Sequence, residues 1–335
     1  MNYISTRNKS VKIAPSAAVL RGLAPDGGLY VPEAIPDAEL SKEQLLGFSY
    51  PELVTHILTK LLPDLGQDNI MKAVTQGYGG KFETEDIIPM KNLKDKSVLE
   101  LYHGPTSAFK DMALCLLPGL ITNACKVQGF DKEVLILTAT SGDTGKAALA
   151  GFAGAPNTKI IVFYPESGVS PVQKAQMVTQ EGENVCVCAV DGNFDDAQTG
   201  VKNAFSEVKN ENIYLSSANS INIGRLAPQV AYYFGAYARL VKSGRIKYGD
   251  SVSFAVPTGN FGNILAGYIA KKMGLFVDKF ICASNANNVL TDFLTTGVYD
   301  RNRPFYLTAS PSMDILISSN FERLLFFMSG GDDRL

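Results

Sequence analysis

Among the five cysteines, Cys115, Cys125, Cys186, Cys188 and Cys282, no Cys-x-x-Cys spacing occurs and the number is odd. This argues against a disulfide framework and a zinc ribbon, and such a set of thiols suits a reducing cytoplasm. Excess charge is missing too. Lys and Arg number 31 against 33 Asp and Glu, for a net charge of −2, so the chain carries no electrostatic footprint for nucleic acid or an acidic membrane. The opening Met1-Asn-Tyr-Ile-Ser-Thr-Arg7 has no apolar signal core, and the greasy run from Met112 to Leu117 ends at Pro118-Gly119, well short of the roughly 20 residues a membrane span needs. Nothing here should enter or cross a membrane. No internal repeat and no low-complexity segment is found. Small-molecule chemistry is what remains: 335 residues, 46% of them hydrophobic, can fill the cores of two or three domains.

Residues 1 to about 95 read as a separate, mainly helical module. It opens with the turn-rich Gly22-Leu-Ala-Pro-Asp-Gly-Gly-Leu-Tyr-Val-Pro32, in which Asp26-Gly27-Gly28 is a turn signal. It then passes into two or three amphipathic helices between Leu45 and Leu62. His56 lies inside that apolar pattern and is expected to pack. From about 96 to 335 strands alternate with helices. Strands are predicted at 134–140, 159–164, 184–190, 213–216, 251–256 and 280–283, and helices at 146–152, 171–180, 194–208, 229–241 and 263–273, with Asp191-Gly192-Asn193 as a turn. Cys186 and Cys188 alternate on one strand face, where packing rather than metal binding is the expected role. The alternation implies an α/β fold of mostly parallel open sheets covered on both faces by helices, with a smaller α/β subdomain nested around 130–190. A last helix from Ser319 running into Gly330-Gly-Asp-Asp-Arg-Leu335 suggests a chain cut short.

Three loops, at Gly104, Gly142 and Gly259, fall between a predicted strand and the next helix, where open α/β sheets hold their ligands. The first, His103-Gly-Pro-Thr-Ser-Ala-Phe-Lys-Asp111, follows the apolar segment 97–102, which reads as a buried strand. The helix after it takes Thr106 or Ser107 as N-cap and kinks or restarts at Pro118. That places Lys110 in the first helical turn. There the helix dipole disfavours an ammonium by roughly 0.3–1 kcal/mol and apolar neighbours desolvate it, and both effects favour the neutral amine that covalent chemistry requires. On this stretch alone an ordinary solvated lysine is an equal alternative.

The loop Pro257-Thr-Gly-Asn-Phe-Gly-Asn263 is the best phosphate cradle. Gly259 and Gly262 let main-chain N–H groups approach an anion, the helix N-terminus adds its dipole, and Thr258, Asn260 and Asn263 can donate from side chains. It is neither a Walker loop nor a Gly-x-Gly-x-x-Gly fingerprint. Ser141-Gly-Asp-Thr-Gly-Lys146 also fails as a Walker loop, which would need Gly at Thr140 and Ser or Thr at Ala147. Its hydroxyls and N–H groups suit a carboxylate instead. Taken singly, each glycine loop is also readable as a bare strand-to-helix turn. A lysine, a phosphate cradle and a carboxylate cradle together describe an enzyme that holds pyridoxal phosphate as an imine and receives an amino acid.

Six segments then match one family in order: Tyr3-Ile-Ser-Thr-Arg7, the stretch Gly22 to Pro32, His103 to Asp111, Thr138-Ala-Thr-Ser-Gly-Asp-Thr-Gly145, Asn219-Ser-Ile-Asn-Ile-Gly-Arg225 and Pro257 to Asn263. The chain resembles the bacterial threonine synthases, pyridoxal-phosphate enzymes of the tryptophan-synthase β-like fold, also called fold type II. The resemblance implies that Lys110 is the Schiff-base lysine, that Gly259, Asn260, Phe261, Gly262 and Asn263 hold the cofactor phosphate, and that Ser141, Gly142, Asp143 and Thr144 receive the substrate carboxylate. Related enzymes often carry Asn where Asp143 stands. The implied reaction is a lyase step of threonine biosynthesis, from O-phospho-L-homoserine and water to L-threonine and phosphate. For the departing phosphate the candidate is Arg225, with Asn222 beside it, because a guanidinium binds phosphate bidentately; a surface salt bridge is the alternative. Family members extend past residue 335 and supply a cofactor-ring contact from that later part, so a catalytically incomplete fragment is one rival reading. A related phospholyase or dehydratase is the other. No metal is implied, and the oligomeric state is left open.

Overall fold

The structure, a computed structural model, describes residues 1–192, 194–208 and 212–332. Asn193 of the predicted turn and the tail residues 333–335 lie outside them. The N-terminal helices begin where a serine cap directly precedes an apolar-periodic run. Before α2 (Lys42–Gly47) and α3 (Tyr50–Leu61), Ser41 and Ser49 each accept from the third helical N–H, and the side chains of Gln44 and Glu52 return the bond to the cap's own N–H, closing a capping box. Together with α1 (Pro15–Arg21) and α4 (Gln67–Tyr78), they bury one face each against a core that continues into the rest of the chain. A small antiparallel sheet completes this part, with β1 (Tyr3–Ser5) between β2 (Lys12–Ile13) and β3 (Tyr30–Pro32). Asp26 accepts from Ser5 Oγ at 2.8 Å and from the Gly28 N–H at 2.9 Å, so the predicted turn is pinned to the sheet. His56 Nε2 lies 2.7 Å from the Ala38 carbonyl with its ring against Phe48, a packing role.

The segment before Lys110 departs from expectation. Only 97–99 is extended, and this strand, β5 (Ser97–Leu99), pairs antiparallel with β4 (Met90–Asn92) in a short hairpin. Val98 is 42% exposed. No buried strand leads into the loop. The helix after it is one turn, α5 (Asp111–Leu114), with Lys110 at its N-cap; α6 (Leu117–Val127) restarts with Pro118 in its first turn, where a missing N–H is harmless. Neither Thr106 nor Ser107 caps α5. Thr106 donates its N–H (2.9 Å) and hydroxyl (2.6 Å) to the Asp111 carboxylate, and Ser107 turns the loop at φ +54°.

The alternating region builds two parallel sheets. The larger has the order β8–β7–β6–β9, from β6 (Glu133–Ala139), β7 (Thr158–Pro165), β8 (Val185–Val190) and β9 (Ile213–Ser217). Val134, Ile136, Ile160 and Val162 join the main core on one side. Leu137 and Ala139 meet Ala197 and Val201 of α9 (Phe194–Glu207) on the other. Helices α7 (Asp143–Phe152) and α8 (Pro171–Val178) belong to the same unit. Packing does not hold for Cys186 and Cys188, both exposed, because β8 is an edge strand and its outer positions lie beyond helix cover. The smaller sheet pairs β10 (Val252–Pro257) with β11 (Val277–Ala283). Coverage on both faces fails here, since Ser253, Ala255, Pro257 and Ile281 are exposed while Val256 and Val277 are buried. Among the described residues no helix is long and apolar enough to cross a membrane.

Two helices link these sheets to the site. The first is α10 (Ile223–Lys242), which starts at Ile223 rather than at the predicted Gln229 and runs through Pro228. The Asn222 side chain accepts from the Gly224 N–H at 2.8 Å, and side chains from Ile223 to Ala238 are buried. That burial outweighs the loss of one helical bond, to the Gly224 carbonyl, that Pro228 imposes. The second, α11 (Gly262–Lys272), leaves the loop after β10, followed by α12 (Val289–Thr296) and α13 (Phe321–Ser329). The last helix begins at Phe321, two positions after the expected Ser319.

Candidate active site

A cavity opens between these elements, lined by Phe109 and Lys110, Thr144, Ser220, Arg225 and Gln229, the whole of 257–263, and Ser312 with Met313. Lys110, the Gly259 loop and Arg225, read as site residues from the sequence, are brought together there. Of the stretch 141–144 only Thr144 reaches the lining.

Lys110 is no solvated lysine: its side chain is 12% exposed and Nζ lies 3.6 Å from Asp143 Oδ2. Burial pulls the ammonium below its ordinary value, outweighing the pull of Asp143 in the other direction, and the nearby Arg225 charge lowers it further. Asp143 is itself pushed up by burial, yet the Lys110 charge together with Ser312 and Gln173 more than offsets this and holds the carboxyl below its usual range. Gln173 Nε2 donates to Asp143 Oδ1 at 2.8 Å, and Ser312 Oγ donates to Oδ2. The Asp143 carboxylate is therefore engaged with Lys110 and these two neighbours. Any anion contact from Asp143 is left to its main-chain N–H, which like that of Thr144 has no partner among the described residues. Gly142 differs from expectation. Its N–H donates to Thr140 Oγ1 at 2.9 Å, so it is not free for a carboxylate. What Gly142 supplies is a backbone at φ +145° that packs against Gln173, a conformation only glycine takes easily.

The loop 257–263 offers chiefly its main chain. Thr258 Oγ1 turns back to the Val256 carbonyl (2.8 Å), and Asn263 Oδ1 accepts from the hydroxyls of Tyr232 (2.5 Å) and Tyr233 (2.9 Å). Thr258 is therefore not poised as the expected donor, whereas Asn263, held by its Oδ1, keeps Nδ2 without a partner among the described residues. The N–H groups of residues 259–263 likewise have no partner among the described residues. Phe261 is left-handed at φ +64°, which turns successive N–H groups into a concave, anion-binding arrangement at the start of α11. At Gly259 a Cβ would come within 2.9 Å of Ile315, so this glycine allows the 313–315 segment to close against the loop.

Arg225 is 3% exposed, which removes the surface salt bridge as its role. Nη1 donates to the Ala218 carbonyl at 2.5 Å, while Nε is buried without a partner among the described residues. Burial pulls its pKa down to about 10 despite the opposing charge of Asp111. Asn222 does not belong to the lining. It is fully buried as the α10 cap, with Nδ2 donating to the carbonyls of Val19 (3.0 Å) and Ser217 (2.9 Å), so all its capacity is used in folding.

Sequence reasoning missed Asp111, Gln173 and Ser312. Asp111 is 1% exposed, and burial raises its carboxyl against the hydrogen bonds from Thr106; its signal was adjacency to Lys110 in a loop otherwise poor in charge. Gln173 is the N3 residue of an α8 capping box begun by Ser170, which gave no hint of its bond to Asp143. Ser312 had no signal at all.

Residues 2–78 match the family described as threonine synthase N terminus, and residues 97–325 match that of the pyridoxal-phosphate dependent enzymes. The chain is 43% identical to threonine synthase-like 1 of Homo sapiens over 338 residues, covering 96% of this chain and 45% of that protein. It is 41% identical to threonine synthase of Pseudomonas aeruginosa over 333 residues, covering 98% and 69% respectively. The chain thus spans less than half the length of the human relative. The crystal structure of pyridoxal-phosphate-bound threonine synthase from Brucella melitensis matches with a TM-score of 0.88 at 42% identity, over 99% of this chain and 70% of that one. The fold is that of the type II pyridoxal-phosphate enzymes with a helical N-terminal part. The residues present fit the cofactor: a buried amine shifted toward its neutral form, a row of unpartnered N–H groups at a helix start, and a buried guanidinium with an open donor.

Proposed function

The chain belongs to the threonine synthase family of pyridoxal-phosphate-dependent enzymes, and on that premise we propose that it converts O-phospho-L-homoserine and water to L-threonine and phosphate. The observation that carries this reading is the presence of two separate anion-binding features around one lysine. One is the row of free N–H groups at 259–263, and the other is the open donor of Arg225. A cofactor phosphate needs one, and a phosphorylated substrate needs the second.

Lys110 would hold the cofactor covalently through Nζ, and the N–H groups of Gly259, Asn260, Phe261, Gly262 and Asn263 would hold its phosphate. Pyridoxal phosphate, when bound, supplies an electron sink for charge that develops on the substrate's carbon atoms. Freed when the substrate's amine displaces it, Lys110 Nζ would take the proton from the substrate's Cα and then move a proton at Cβ. Its lowered pKa keeps a larger fraction of the amine neutral and able to act as a base. Asp143, 3.6 Å away, steadies Nζ whenever it holds a proton. Arg225 binds the phosphate that departs from Cγ, a role suited to a forked, permanently charged donor. Water delivers its hydroxyl to Cβ; of the protons released from Cα, from Cβ and from that water, one returns to Cα, one goes to Cγ and one leaves with the phosphate. The N–H groups of Asp143 and Thr144 and the Thr144 hydroxyl receive the substrate carboxylate, with Ser141 and Gly142 shaping the turn that presents them. Phe109, Phe261 and Met313 give the cavity apolar walls, which strengthens each of these electrostatic contacts. All five thiols are free, which suits the reducing cytoplasm.

The test is product analysis. The purified chain, loaded with pyridoxal phosphate and given O-phospho-L-homoserine, is expected to release threonine and phosphate in equal amounts. A keto acid with ammonia would identify a dehydratase or phospholyase. A visible band that borohydride bleaches, absent in Lys110→Ala, checks the assignment of the lysine independently of turnover.

A further inference from the structure

The free N–H groups of the cradle raise the question of what holds them in that direction, because an isolated glycine loop would sample many. The segment 318–323 lies behind the loop, outside the cavity lining, and grips its carbonyl groups. Ser318 Oγ donates to the Gly259 carbonyl at 2.5 Å. The Asn320 N–H donates to the Asn260 carbonyl at 3.1 Å. In a planar trans peptide the C=O of one residue and the N–H of the next point in opposite directions. Holding the Gly259 carbonyl therefore aims the Asn260 N–H away from Ser318, and holding the Asn260 carbonyl aims the Phe261 N–H away from Asn320.

The gripping segment is itself immobilised. Ser318 donates its own N–H to the Tyr299 hydroxyl at 2.8 Å. Arg323, with no exposed surface, fastens the far end. Its Nε donates to the Tyr30 carbonyl (3.0 Å) and Nη2 to the Ile221 carbonyl (2.6 Å), while Nη1 reaches the Ser220 carbonyl (3.4 Å) and Asn320 Oδ1 (2.5 Å). One guanidinium thus ties the segment to β3 and to the 219–222 turn that starts α10.

We infer that Ser318, Asn320 and Arg323 form a strap that sets the direction of two cradle peptides, so that the N–H groups of Asn260 and Phe261 face the cofactor phosphate. The inference rests on the reading of 257–263 as that cradle. Ser318 and Asn320 are positioning residues, since they act through the main chain of the loop. The consequence is specific: loosening the strap weakens binding of the phosphate and leaves the rest of the cofactor's contacts intact.

The parent chain, Ser318→Ala and Ser318→Thr are titrated with pyridoxal phosphate and, separately, with pyridoxal, which lacks the phosphate. Binding is read from the visible absorption band, and folding from near-ultraviolet circular dichroism. The parent is expected to prefer pyridoxal phosphate strongly. Ser318→Ala is expected to lose about 3- to 10-fold in affinity for pyridoxal phosphate, the worth of one buried hydrogen bond, with pyridoxal unchanged. Ser318→Thr, which keeps the hydroxyl, restores the preference. If Ser318→Ala does not fold, Ser318→Cys, close in size and a far weaker donor, takes its place. Equal weakening for both ligands, or no change, overturns the strap while the cradle reading survives. A parent chain that binds both ligands alike overturns the cradle reading, and the strap with it.

Discussion

Two buried guanidinium groups stand near the same cavity and are treated in opposite ways. Arg323, in the strap, gives its donors to three main-chain carbonyls and the Asn320 side chain. Arg225, on α10, is buried almost as completely but bonds one carbonyl, keeps Nε unpaired and lines the cavity. Burial lowers both, Arg323 to about 9 and Arg225 to about 10, so burial alone does not distinguish them. Hydrogen-bond completeness does. A buried charge left short of partners is costly for a fold to keep, and the arrangement is understandable where a ligand supplies the missing acceptor. Where the fold itself supplies an acceptor to each guanidinium nitrogen, as at Arg323, the group acts as a fastener.

Substitution at these two positions is the sharpest way to break the comparison. Arg323→Met leaves the Tyr30 carbonyl buried and unsatisfied and takes the donor from the partly buried carbonyls of Ser220 and Ile221, and should lower the unfolding free energy by about 3–5 kcal/mol, measured by denaturant titration. A loss under about 1 kcal/mol would remove its structural role. Arg225→Met should change stability by no more than about 1 kcal/mol yet lower kcat/KM for O-phospho-L-homoserine by about 10²–10³-fold, with affinity for pyridoxal phosphate little altered. Unchanged kinetics would take it out of the site.

Lys110 extends the comparison to a cation that can shed its proton. Its pKa in the folded chain is lowered, mainly by burial, so the folded state releases the proton at a lower pH than the unfolded state does. Between that lowered value and the ordinary value of 10.5 the unfolded chain binds more protons, and stability contributed by this group rises with pH. Lys110→Met, without cofactor, should lose that rise; parallel stability–pH curves for parent and variant would show that the lysine is solvated. The smallest effect sets the baseline. Cys186→Ser combined with Cys188→Ser should shift stability by less than about 0.5 kcal/mol, because both thiols are exposed on an edge strand; a larger loss in thermal unfolding would restore the packing role expected for them.

Much of this molecule is legible in its residues alone. The apolar runs at 134–140, 159–164, 184–190 and 213–216 form four parallel strands; the central pair, 134–140 and 159–164, is apolar because strands covered on both faces have to be. Pro118 restarts a helix as its missing N–H requires. Lys110, the loop at 257–263 and Arg225 meet at one cavity. The misreadings share a pattern. Segment 97–102 is apolar enough for a buried strand yet forms an exposed hairpin, and Pro228 conceals the true start of α10. Thr258, Asn222 and the Gly142 N–H are expected to be open donors, but each is occupied by a neighbour.

What the sequence determined by itself was therefore local: the period of each element, the turns between them, and the chemical capacity of each loop to meet an amine's partner, a phosphate or a carboxylate. The tertiary structure alone decided which donors remain open. Ser318 reaches Gly259 across 59 residues and Arg323 reaches Tyr30 across 293. A hydrogen-bonding group becomes available to a ligand only if nothing folded against it takes the bond first, and no property of the loop's own residues records what will arrive from so far along the chain.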